Sequence, residues 1–166
     1  MPDQPRGTPC PEIDTLLLKP DLKILDLRFV DQICIWAFRV VVNDGYNWAR
    51  VEDELQAGLP PAAARVAYSA LRNIFAILNL YARRPLCFRP INCLGVSLGE
   101  RLVLGVIRSA ERPCANIQRH YAFNLVDEPM ANELMNYAIS FDAAIAARSQ
   151  IYVHAPFHHE SLRSVH

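Results

Sequence analysis

Residues 61–83 read PAAARVAYSALRNIFAILNLYAR, and this stretch decides the fold. Proline costs nothing in the first turn of a helix, because the amides there have no intrahelical partner, so Leu59-Pro60-Pro61 opens a helix. At helical spacing Arg65, Ser69, Arg72, Asn73, Asn79 and Arg83 share a sector of roughly 120°. Val66, Ala70, Leu71, Ile74, Phe75, Ile77, Leu78, Leu80 and Tyr81 take the remainder. A surface helix needs an apolar stripe of about 100°, and this one has about twice that. It is therefore expected either at the centre of a bundle or under a second chain.

Downstream, Arg84-Pro85 ends the helix and 85–96 reads as a loop with a short extended piece at Leu86-Cys87-Phe88. Ser97-Leu98-Gly99-Glu100 has the spacing of a capping box, in which the hydroxyl takes the third amide and the carboxylate reaches back. It precedes the apolar run Leu102 to Ile107 and predicts a helix over 98–111, stopped by Arg112-Pro113. Another helix follows over 115–126. Asp127-Glu128-Pro129 then starts a long one to about Gln150, with Leu134, Ala138, Phe141 and Ile145 repeating at three and four.

Upstream, a short helix runs from Trp48 to Gln56, capped by Asn47 and stopped at Gly58. Before it, residues 28–43 place Arg28, Asp31, Gln32, Arg39 and Asn43 on one side and Phe29, Ile33, Trp36, Val40 and Val41 on the other. Ile35 and Val40-Val41-Val42 also suit a strand, but length and polar spacing favour helix. Asn43-Asp44-Gly45 ends it. The reading is an all-α, compact bundle of five to six helices. A Pro-rich N-terminal arm over 1–20 is expected to touch the body only around Leu16 to Leu18. A single helical domain spans 21–150, and 151–166 is an irregular tail with four histidines.

With 52% hydrophobic and 20% charged residues, the 166-residue chain has enough apolar side chains for a core. Seventeen basic and seventeen acidic residues cancel, which argues against a polybasic nucleic-acid binder. The glycines form neither GxGxxG nor GxxxxGK[ST], so the common nucleotide loops are absent. No basic start leads into an apolar run at the N-terminus, and no window reaches the roughly 20 apolar residues of a membrane span. A cytoplasmic protein with no membrane association is expected. Fifteen arginines against two lysines, with 20 alanines, read as GC-rich bacterial codon usage. The five cysteines are odd in number and form no CxxC, as expected of reduced structural thiols.

Charge is segregated: residues 61–120 carry +7 and their flanks −7. Arg83, Arg84, Arg89 and Arg101 stand near the helix start at Ser97, where free amides favour an anion, so these five are candidate anion-binding residues. Nucleic acid is a possible but not favoured ligand. The plainer reading folds the acidic flanks back onto the basic middle. Helices 98–111 and 116–126 also suit a helix-turn-helix, with Arg119 and His120 on the second helix. Ile117, Tyr121, Phe123 and Leu125 make an ordinary helical hairpin the better expectation.

Cys87, Cys93, His154, His158, His159 and Glu160 are zinc-ligand types, yet the cysteines stand six apart and no HExxH occurs. No metal and no cofactor is assigned. Cys93 with His120 or His154 lacks any catalytic frame, and Glu52-Asp53-Glu54 and Asp127-Glu128 sit where acids favour a helix start. The most direct signal is surplus apolar surface. Ile35 and Val42 fall inside the polar sector of 28–43 with Phe38 beside it, and Phe75, Ile77 and Leu80 add to the surplus, each worth about 1.5–3 kcal/mol when buried. These six are candidate interface residues of a homodimer. Alternatively, the arm covers them through Ile13 and Leu16 to Leu18. The expected function is a non-enzymatic interaction or regulatory module acting through self-association and an unknown protein partner. The alternatives are an anion or nucleic-acid binder and a small metal-dependent enzyme.

Overall fold

Four of the described helices begin where the sequence supplies a cap or a proline. The computed structural model describes residues 15–110 and 115–147. Among them are α1 (Phe29–Asn43), α2 (Trp48–Gly58), α3 (Pro61–Tyr81), α4 (Leu98–Ser109), α5 (Ala115–Leu125) and α6 (Met130–Ala146). Two 3-10 turns precede them at Thr15–Leu18 and Ile24–Asp26, and the described residues contain no strand. Asn47 caps α2 by accepting the Arg50 amide at 3.1 Å, and Pro61 is the first residue of α3. Cys10, Ile13, Cys114, the Arg112-Pro113 turn and the tail histidines, with the readings placed on them, lie outside the described residues.

The central alternative holds for α3. It lies along α6 and also packs on α2 and α1. Ala63, Ala64, Ala67 and Ala70 are buried on it beside Leu71, Ile74, Ile77 and Leu78. Small side chains let a neighbouring helix approach closely, and the larger residues fill the space beyond. The helix stops at Tyr81 rather than Arg83. Ala82 leaves it in extended conformation to pair with Val126, and the Arg83 amide bonds Leu125 O at 2.9 Å. Two helix ends are thereby stitched together.

Helix α1 is central as well, and here the sequence-based expectation needs correction. Ile35 and Phe38, expected at an interface, are fully buried within the chain, and Ile77 is 8% exposed. One small bundle does hold two such helices. It can because the polar side of α1 does not face water: Asp31 and Arg39 are both 0% exposed. That side packs toward α4 and the α3–α4 connector, where other charges meet it. Ile35 belongs to a second apolar cluster with Leu17, Leu22, Ile24, Leu27, Val96 and Leu104. The leading segment closes this cluster by an antiparallel bridge, with Ile24 N donating to Leu94 O at 2.8 Å and Val96 N to Leu22 O at 3.0 Å. No described helix is long and apolar enough to cross a membrane.

Candidate functional site

At the predicted helix start the protein's own Glu100 carboxylate stands where an anion was expected, and it is met by Arg39 rather than by the predicted arginine side chains. Ser97 Oγ accepts the Glu100 amide at 3.2 Å, and Glu100 accepts the Ser97 amide at 2.7 Å, completing the capping box. The same carboxylate accepts the Arg89 amide at 3.0 Å and the Arg39 guanidinium at 2.7 and 2.9 Å. Arg39 also donates to Cys93 O at 2.5 Å and Gly95 O at 2.7 Å. Ser97 Oγ in turn donates to Cys87 O at 2.5 Å. The Ser97, Glu100 and Arg89 amides and the Arg39 guanidinium, which could have drawn an anion to the start of α4, are thus spent on bonds within the protein.

The other candidate residues divide. Arg101 grips the leading segment through the carbonyls of Leu17, Lys19 and Pro20 and bonds Val96 O at 3.4 Å. Arg83 pairs with Asp127 at 2.7 Å on the surface, while Arg84 and Arg89 are exposed. Ser97 and Arg101 are therefore structural, and the five do not converge on a cavity. The acidic flanks do return to the basic middle: buried Asp31 pairs with Arg108 at 2.5 Å and Arg28 at 2.9 Å. On α5, Gln118 donates to Val106 O at 3.2 Å and is buried against α4, as in a helical hairpin. His120 is exposed beside Asn124, and no described bond joins it to Cys93. No group of three potential metal ligands occurs among the described residues.

One thiol is held apart from the rest. Cys34 is fully buried, and burial, reinforced by the negative charges of Asp31 and Glu100, pushes its thiol well above the ordinary value of 9.0. The native fold keeps this proton while the unfolded chain loses it near the ordinary value. Cys34 therefore has no effect on stability at lower pH and lowers it as pH climbs beyond 9.0 toward the raised value. The urea midpoint is expected to fall between about pH 8 and about pH 10 in the wild type and to fall less in Cys34→Ala. Mapped iodoacetamide labelling is expected to reach exposed Cys87 in the native protein and Cys34 only in denaturant.

What the chain does present is a ladder of aromatic rings that leads from the core to the surface. Buried Phe38 meets Phe88 at 5.6 Å and Phe75 at 5.9 Å between ring centroids. Phe75 then meets Trp48 at 5.6 Å and 82°, and Tyr46 at 6.1 Å and 80°, both edge to face. Trp48 meets Tyr68 at 6.0 Å and 86°. The Arg72 guanidinium lies 5.8 Å from both the Trp48 and Tyr68 rings, and Arg50 lies 6.0 Å from Trp36. Such edge-to-face pairs are the favoured geometry of aromatic contacts, so the ladder is stiff.

The ladder's outer rung is set by the end of α1. Gly45, at φ 60°, turns the chain left-handed, and the Tyr46 amide reaches back six residues' span to Val41 O at 2.9 Å. Tyr46 itself is at φ 62° and is 63% exposed. A bulky residue at positive φ is strained, by about 1–3 kcal/mol, and such strain gathers at functional surfaces. Compared with family models, curated proteins and solved structures, the chain matches none.

Of the interface candidates, half-buried Phe75 is a rung of this ladder, and 45%-exposed Val42 lies in the last turn of α1 before it. Leu80 is exposed near the far end of α3. Sequence reading missed Tyr46, Trp48, Tyr68 and Arg72. The available signal was Tyr68, Arg72 and Phe75 at i, i+4 and i+7, one strip of a helix.

Proposed function

We propose that this chain is a cytoplasmic, non-catalytic binding module whose recognition surface is the Tyr46–Trp48–Tyr68–Phe75 face with Arg50 and Arg72. The observation that carries the reading is Tyr46, a strained and mostly exposed aromatic residue braced against the ladder. Tyr, Trp, Phe and Arg are the side chains enriched at protein interfaces and their hot spots.

A second copy of the chain is the first mate to test. One face carries both guanidinium groups and ring faces, so two copies related by a twofold axis offer each other complementary groups. Sedimentation velocity across the micromolar range is expected to show concentration-dependent association. Tyr46→Ala and Arg72→Ala should each weaken it, by about 2 kcal/mol if they are hot spots. A wild-type protein that stays monomeric throughout removes self-association. Unchanged association in both variants removes this face.

A further inference from the structure

A shallow groove of about 390 Å³ also runs between α3 and α6. Ala62, Val66 and Ala70 give it an apolar wall, and Arg65, Ser69 and Tyr137 bring polar groups to it. Arg65 and Ser69 are neighbours on one helix face, at i and i+4. Among the described residues, none of these three side chains spends a donor on a hydrogen bond or ion pair within the protein. Ser140, the remaining lining residue, already gives its hydroxyl proton to Asn136 O at 3.0 Å. No carboxylate lines the groove, so its single formal charge is the Arg65 guanidinium.

We infer that this groove binds a small amphipathic monocarboxylate, with the carboxylate on Arg65 and the apolar body along Val66 and Ala70. A planar guanidinium matches a carboxylate in a two-pronged pair, and the two hydroxyls supply donors for the remaining lone pairs. One cation balances one negative charge, whereas a phosphate dianion would stay half compensated. The volume stands at the low end for ligand pockets, roughly 300–1,000 Å³, which selects a small ligand. This site shares no residue with the aromatic face, so its fate is independent of the function proposed above.

The test uses the full chain and sodium octanoate as probe, followed by titration calorimetry and thermal unfolding. Saturable one-to-one binding with a raised Tm is expected for the wild type. Arg65→Gln, at an exposed position, is expected to weaken it roughly ten- to a hundredfold, as for one lost charge-assisted pair. Val66→Trp, which fills the groove and keeps the charge, should also weaken it. Octan-1-ol and inorganic phosphate are expected to bind neither saturably nor at comparable concentration. No saturable octanoate binding, equal binding by Arg65→Gln, or equal binding of octanol or phosphate overturns the inference. So does a monomer–dimer equilibrium that Val66→Trp alone abolishes, which would give the groove to a second copy.

Discussion

Glu100→Gln is expected to destabilise the fold by about 3–5 kcal/mol, a large share of the roughly 5–15 kcal/mol that holds a domain together. The substitution keeps the shape of the side chain, removes its charge and turns one of its two acceptor oxygens into an NH2 donor. Arg39 would then remain 0% exposed as a cation with no counter-ion, in contact with Cys93 O and Gly95 O alone. The Ser97 and Arg89 amides bond different oxygens of the carboxylate, so one of them would face the new NH2 and lose its acceptor. Burying a charge without its partner is far costlier than the pair's net stabilisation, so the single variant reports the penalty rather than the bond. Arg39→Met should be comparably damaging, since it strands the carboxylate instead. The double variant Arg39→Met/Glu100→Gln should lose much less than the sum of the two. Urea unfolding of the four proteins measures this, and simple additivity would show that the two side chains act separately.

Gly105→Ala is expected to reverse the usual sign of a helix substitution. Glycine inside a helix ordinarily costs about 0.5–1 kcal/mol relative to alanine, so the change should stabilise α4. A Cβ at Gly105, however, would stand 2.2 Å from Tyr121 Cδ1 and 2.4 Å from its Cγ. Cγ is the root of the ring, so turning the ring in place gives no relief, and either the whole Tyr121 side chain changes rotamer or α5 itself has to shift. Overpacking of this kind costs about 1–3 kcal/mol, enough to outweigh the helix preference. Tyr121→Ala in the same background removes the clash, and the double variant should be more stable than addition predicts. An observed gain in Tm for Gly105→Ala alone would mean that α4 and α5 do not approach as closely as described.

The helices were legible because their signals are local. The Ser97–Glu100 box, Asn47, Pro61 and the α3 stripe each act within a turn or two, and each sits at a helix start or centre. The role of Arg39 was not legible. A helical wheel groups Arg28, Asp31 and Arg39 and implies water on that side, yet the partner of Arg39 is 61 residues away and that of Asp31 is 77. Nothing in either segment names the other. Ile35 misled for the same reason: among polar neighbours it reads as exposed, and Leu17 and Leu104 share its apolar cluster. The aromatic face draws its rings from two helices and one turn, so only the assembled bundle brings Tyr46, Trp48, Tyr68 and Phe75 together. Of the six residues expected at an interface, Ile35, Phe38 and Ile77 are buried, Phe75 is half-buried, and Val42 and Leu80 are exposed.

The carboxylate at the head of α4 ties three stretches that are remote along the chain: α1 through Arg39, the connector through Arg89, and α4 through Ser97. The twelve residues of 85–96 have almost no regular structure, which would normally mark them as the place where a domain yields first. They cannot peel away here without stripping the buried Arg39–Glu100 pair of its bonds to the Arg89 amide and to Cys93 O and Gly95 O. The irregular span is therefore cooperative with the helices on either side of it, and behaves as a keystone rather than a hinge.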